Sequence, residues 1–201
     1  MKVIVVGNGT VGSAVQQSLR EHGHDVVDIG RTRGTYKADT TQIDELRALF
    51  PALTPFDAVA NAAGDAFLVP LAESTDEQWA ASIEGKGMGQ INLVRAALPH
   101  ISDGGSFTLV SGILGDEFNV ASSIGATVDY MVEGFVKGAA TELPRGLRIN
   151  CVSPTVLAES PPPIHAVFPG FTPVPAAEVA QAYFRAISNP ITGRILKVHN
   201  L

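Results

Sequence analysis

The stretch VVGNGTVGSAV, residues 5–15, constrains this chain most. It places Gly7, Gly9 and Gly12 in G-x-G-x-x-G spacing directly after the apolar run KVIVV (2–6). A helix is expected after it, from about Thr10 to His22, because Val11, Val15 and Leu19 recur at i, i+4, i+8. A strand, a glycine turn and a helix in that order form the opening of a βαβ unit that binds a dinucleotide. Gly7 permits the tight turn. Gly9 lets backbone approach a pyrophosphate, and Gly12 lets helix pack closely on strand. The helix N-terminus adds N–H donors and partial positive charge. Gly7, Asn8, Gly9, Thr10, Val11 and Gly12 are therefore candidate cofactor-binding residues.

The same alternation runs along the chain. DVVDIG, DAVANAA, SFTLVSG, LRINCVSP and GRILKV read as strands. Between them lie amphipathic stretches. TTQIDELRALF is expected to be a helix capped by Thr41, with Asp44 and Glu45 in its first turn. A helix over 82–99 carries Ile83, Gly87, Ile91, Val94 and Leu98 on one face and stops at Pro99. Another spans 124–142, and AAEVAQAYFRAIS forms the last. This order predicts an α/β fold: a Rossmann-like, doubly wound parallel sheet with helices on both faces, one domain over residues 1–201. Residues 154–176 break the pattern. They are rich in proline and show neither period, so they are expected to be a substrate or lid loop, with Phe168 and Phe171 walling a pocket.

The exit of the second strand decides the cofactor. A carboxylate there would bind the ribose 2′-OH of NAD(H), and arginine would accept the 2′-phosphate of NADP(H). Gly30 and Arg31 occupy that exit, while Asp28 lies two residues inside the strand. Arg31 and Arg33 flank Thr32, and guanidinium forks suit a phosphate dianion. The expectation is NADP(H) in preference to NAD(H).

These residues, with NAAG (61–64), resemble the short-chain dehydrogenase/reductase family over nearly the whole chain. NAAG is similar to the family's motif after the fourth strand, which implies cofactor contact for Asn61, Ala62, Ala63 and Gly64. ADTT (38–41) looks like the segment that meets the adenine, which implies Asp39 and Thr40. LRINCVSPTVL resembles the segment beside the nicotinamide, which implies Pro154, Thr155, Val156 and Leu157, with Thr155 where glycine is usual. ITGRILKV is similar to the family's closing motif. The resemblance implies hydride transfer between the nicotinamide and a small carbonyl, alcohol or activated alkene.

It also implies a serine, a tyrosine and a lysine for the proton, and here the match breaks. Counting back from VEGFVKGAATELPRGLRIN puts the tyrosine position on Gly125 and the lysine position on Asp129. Tyr130 lies one residue beyond, turned about 100° away on a helix. Lys137 is two turns further than Tyr130. Lys86, in KGMG, stands at the family's asparagine position. Ser111 remains at or beside the serine position, followed by Gly112. The candidate catalytic residues are thus Ser111, to orient substrate, and Lys86, to supply the proton if a low-dielectric pocket lowers its pKa. The alternative is a non-catalytic NADP(H)-binding sensor or partner subunit.

Bulk properties narrow the rest. With 45% hydrophobic and 17% charged residues the chain is globular. A net charge of −6 argues against nucleic acid and anionic membranes as partners. Cys151 is the sole cysteine, so no intrachain disulfide forms and no metal site is expected. The N-terminal apolar run is too short for a signal or membrane segment, so a cytoplasmic protein is expected. Pairing of copies through helices 82–99 and 124–142 is expected as well.

Overall fold

In the computed structural model, which describes residues 1–199, seven strands form one parallel sheet in the order β3-β2-β1-β4-β5-β6-β7. The strands are β1 (Lys2–Val6), β2 (Asp25–Gly30), β3 (Tyr36–Lys37), β4 (Ala58–Asn61), β5 (Ser106–Val110), β6 (Arg148–Pro154) and β7 (Ile195–Val198). Only the two-residue β3 falls outside the expected set; it is too short to carry a period. β1 is an interior strand between β2 and β4, and Val3, Ile4, Val5 and Val6 are all buried. Its side chains alternate between two cores. Ile4 and Val6 join one with Phe50, Leu93 and Val132, while Val3 and Val5 join the other with Val15, Leu19 and Val179. A strand buried on both faces must read as a continuous apolar run, which is why KVIVV does.

Seven α-helices are present among the described residues: α1 (Thr10–Glu21), α2 (Ile43–Leu53), α3 (Asp76–Ser82), α4 (Gly89–Ala97), α5 (Ser123–Ala139), α6 (Pro162–Val167) and α7 (Ala176–Ser188). α1 packs against α7 on one face, and α2, α4 and α5 fill the other. β4 pairs with β1 on the side opposite β2, so the strand order reverses between β1 and β4. In open sheets of this kind the crevice outside that reversal holds the ligand.

Three local expectations are corrected. The helix expected over 82–99 begins earlier, at Asp76, where Thr75 and Gln78 form a capping box. It then loosens into a π-helical stretch, Ile83–Met88, before tightening into α4. The sequence there, IEGKGMG, supplies three glycines and little helix propensity. Thr41 does not cap α2. The N-cap is Gln42, and Thr41 instead donates to Asp39 Oδ1 from its backbone N (3.0 Å) and its hydroxyl (2.9 Å). Finally, 154–176 is not without structure. It contains α6, opened by Pro162 at a position that needs no N–H, and a parallel bridge between Leu157 and Val174.

Candidate active site

The loop after β1 is a site made of backbone. Gly7 has φ +108°, a conformation that disfavours any side chain. A Cβ on Gly12 would stand 1.9 Å from Gly7 O. A Cβ on Gly9 would meet nothing within 4 Å, so the space over the helix end is open. Gly9 is the N-cap of α1 and no side chain caps that helix. Its first-turn N–H groups are left for a ligand, which fits a pyrophosphate.

Asn8 ties this loop to the turn after β2. Its Nδ2 donates to Arg33 O (2.7 Å) and to Asp28 Oδ2 (3.1 Å), and its Oδ1 accepts from Gln16 Nε2 (2.7 Å). The Arg33 guanidinium donates back to Asn8 O. Asp28 also accepts from the Thr35 hydroxyl (2.6 Å) and backbone N (3.2 Å). Burial pushes the Asp28 carboxyl up, but the bonds from Thr35 and Asn8 outweigh it and hold it below its ordinary value. Asp28 is therefore a brace of the turn. Arg31 is exposed at the strand exit, and Arg33 is partly committed to the loop. Further along, Asp39 is held by Thr41, and Thr40 O accepts from Asn92 Nδ2 of α4 (3.3 Å). At the end of β4, Asn61 donates to Ala63 O (2.6 Å) and its carbonyl accepts from the buried Tyr183 hydroxyl (2.6 Å). The NAAG segment is thereby fixed against α7.

The chemical end is a cavity of about 280 Å³. Gly64 and the whole segment Pro154, Thr155, Val156 and Leu157 line it, so two parts of the expected cofactor site meet there. Ile113, Leu114, Val156, Ile164 and Phe168 form an apolar wall, with Val167 and Phe171 packed behind. Of the two expected wall residues, Phe168 reaches the cavity, and Phe171 meets it edge-on at 5.3 Å between ring centroids.

Lys86, from the π-helical stretch, and Asp129, from α5, form the polar side of the cavity. Lys86 Nζ lies 2.6 Å from Asp129 Oδ1, and the side chains are only 12% and 2% exposed. Lys86 is thus a buried ion-pair member. Burial pushes the Asp129 carboxyl up; the Lys86 charge pulls it down without cancelling the rise. One turn along α5, Glu133 is also buried. Burial raises its carboxyl, a bond from Ser111 lowers it, and Asp116 and Asp129 raise it again. Ser111 is not among the cavity-lining residues; its hydroxyl donates to Glu133 Oε1 at 2.8 Å. Gly125 does leave room, and Leu114 takes it: a Cβ there would stand 2.5 Å from Leu114 Cδ1. Tyr130, 53% exposed, points to solvent.

Sequence reasoning missed Asp129 as the partner of Lys86, and Glu133 altogether. A signal was present for the first. Positions 86 and 129 both depart from the family pattern, and their charges are opposite. For Glu133 the only hint was its i, i+4 spacing from Asp129.

A family model described as enoyl-(acyl carrier protein) reductase matches residues 6–190. None of the curated proteins matches. Among solved structures, the protein lin1944 from Listeria innocua is 40% identical with a TM-score of 0.95, over 99% of this chain and 100% of that one. A small-chain dehydrogenase in complex with NADPH is 21% identical with a TM-score of 0.89, covering 99% and 96%. Aldohexose dehydrogenase from Thermoplasma acidophilum, ligand-free, is 21% identical with a TM-score of 0.86, covering 98% and 91%. At these lower identities the likeness concerns the fold. Among the described residues no helix is long and apolar enough to cross a membrane.

Proposed function

The chain belongs to the short-chain dehydrogenase/reductase family, and from that membership we propose that it is an NADP(H)-dependent oxidoreductase with a rebuilt proton site. The substrate class is a small carbonyl or alcohol, or an activated alkene. One observation carries this reading: a single cavity is bounded by Gly64, by Pro154–Leu157 and by the Lys86–Asp129 pair.

A bound NADP(H) would supply the hydride; the uncapped start of α1 would hold its pyrophosphate, and Arg31, exposed at the strand exit, would hold its 2′-phosphate. Val156, Leu114 and Phe168 exclude water from the reacting atoms. Lys86 donates a proton to the substrate oxygen as negative charge builds there, and Asp129 holds the ammonium in place. A positioned general acid is worth ~10²–10⁴ in rate. Ser111 acts through Glu133 and does not touch substrate. Two copies pair through the helical stretch 82–99 and α5.

A second reading rests on Leu114. Its side chain fills the volume beside Gly125, where the family resemblance implies a tyrosine. A protein that binds NADP(H) and transfers nothing would have that feature too.

Titration with NADPH and NADH, followed by nucleotide fluorescence, tests the cofactor. NADPH is expected to bind more tightly, with the preference lost in Arg31→Ala. Turnover of NADPH with a panel of small aldehydes, ketones and enones then separates the readings. Turnover that drops in Lys86→Ala supports the enzyme; NADPH binding without turnover supports the binder.

A further inference from the structure

The Lys86–Asp129 pair does not stand alone. Asp129 and Glu133 sit four residues apart on α5, so they lie one above the other on the face turned to the sheet. Both are buried, at 1% and 6% exposure. Both press against the turn after β5. A Cβ on Gly112 would stand 3.0 Å from Asp129 Oδ2, and one on Gly115 would stand 3.0 Å from Glu133 Oε1. The glycines at 112 and 115 leave this room to two carboxyl groups.

The charges here do not balance. Lys86 is the cation against Asp129, at 2.6 Å. Among the described residues Glu133 receives only the neutral hydroxyl of Ser111, while Asp116, Lys137 and Asp129 act on it from further away. Lys197 is taken by Asp116 at 2.6 Å. The Cys151 thiol, pushed up to about 12, stays neutral. Two ionised carboxylates one turn apart, with one buried cation, repel each other in a low-dielectric setting. Binding one proton between them removes that repulsion.

Accepting the oxidoreductase reading, the geometry points to a proton store behind the donor: Asp129 and Glu133 hold one proton between them and resupply it to Lys86. The steps balance. A hydride from the reduced nicotinamide reaches the carbonyl carbon, and the carbonyl oxygen takes one proton from the Lys86 ammonium, giving the alcohol. The neutral Lys86 amine takes the carboxyl proton and becomes ammonium again. The pair, now two carboxylates, takes one proton from water. Asp129 touches the donor and lines the cavity. Glu133 is a positioning residue that acts through Asp129, and Ser111 fixes its orientation.

The experiment has two arms. In the first, carboxyl carbons of ¹³C-Asp/Glu-labelled protein without nucleotide are titrated by NMR, in wild type, Asp129→Asn and Glu133→Gln. The proposal expects one Asp129/Glu133 step above the ordinary carboxylate range, which drops in either variant because the partner's charge is gone. Two independent steps in the ordinary range overturn it, whatever the turnover. In the second arm, Glu133→Gln keeps the acceptor for Ser111 but cannot hold the proton. Its kcat is expected to fall about 10-fold to 100-fold, with the alkaline limb of the pH–rate profile moved and NADPH affinity unchanged. Glu133→Gln turnover with the wild-type profile overturns the resupply role even if the coupled step is seen. Wild-type protein that binds NADPH and reduces nothing overturns the oxidoreductase reading itself, and the store's role falls with it. That outcome is told apart from failure of the store alone by the wild-type rate.

Discussion

The two ends of the cleft are built from different materials. The loop after β1 offers a ligand backbone N–H groups, and the side chains around it mainly brace the turn, as Asn8, Asp28 and Thr35 do. The face of α5 turned to the sheet works by side-chain charge: Lys86 against Asp129, Ser111 against Glu133. A backbone site is damaged by added bulk. A charge site is damaged by subtraction, because a buried ion left without its partner costs more than the pair contributes. The same substitution size should therefore have opposite logic at the two ends.

The largest effect is expected from adding bulk at Gly12. A Cβ there would collide with Gly7 O, which is rigid backbone. Gly12→Val should abolish NADPH binding in a fluorescence titration and lower the melting temperature strongly. Gly9→Ala, which meets nothing in the protein, should keep the fold and lose affinity, because only the ligand feels the added methyl group. Equal stability losses in both would break the comparison.

Next comes subtraction at the charge site. Asp129→Ala leaves the Lys86 ammonium buried and unpaired, with an expected loss of about 3–5 kcal/mol in urea unfolding. The double variant Lys86→Met/Asp129→Leu should recover most of it, because a well-packed apolar pair replaces an ion pair at little cost. A double variant as unstable as the single one would show that the site needs charge for its fold.

Arg31→Ala is expected to act on binding alone, weakening NADPH by about tenfold and leaving NADH unchanged. Tyr183→Phe removes one buried bond to Asn61 O, worth about 1 kcal/mol. The smallest effect concerns pH. Burial raises the Glu133 carboxyl in the folded state above its unfolded value. Its contribution to stability is present below the unfolded pKa, about 4.3, and is lost as pH rises through the folded one. Glu133→Gln should therefore melt slightly higher than wild type at alkaline pH, above the step that Asp129 and Glu133 share, and the gain should vanish near pH 4. A gain that persists in acid would place its cause outside this titration.

The difference in materials also explains what could be read from the chain. A backbone site leaves a contiguous trace, and eleven residues around Gly7, Gly9 and Gly12 announced it. The parallel sheet was legible too, because Val3–Val6 must be apolar on both faces. The charge site left no contiguous trace. Lys86, Ser111 and the Asp129–Glu133 pair on α5 come from three separate parts of the chain, and whether a lysine is solvated or paired depends on what packs across from it. Lys86 lies in a π-helical stretch whose register an α-helical count does not give. Leu114 filling the space at Gly125 is a packing fact, invisible until β5, its following turn and α5 are brought together. The capping box at Thr75 and Gln78 was readable in STDEQ and marks the true start of that helix.

The most direct test follows deuterium. NADPH carrying deuterium at the transferring C4 position is incubated with the protein and a panel of small carbonyl compounds, and the alcohols are examined by mass spectrometry. One deuterium is expected on the former carbonyl carbon with wild type, and a rate about 10²–10⁴-fold lower in Lys86→Met at unchanged NADPH affinity. NADPH bound tightly with no deuterium transferred to any compound would contradict the oxidoreductase reading, and would leave Leu114 and Gly125 as the marks of a protein that binds the nucleotide without using it.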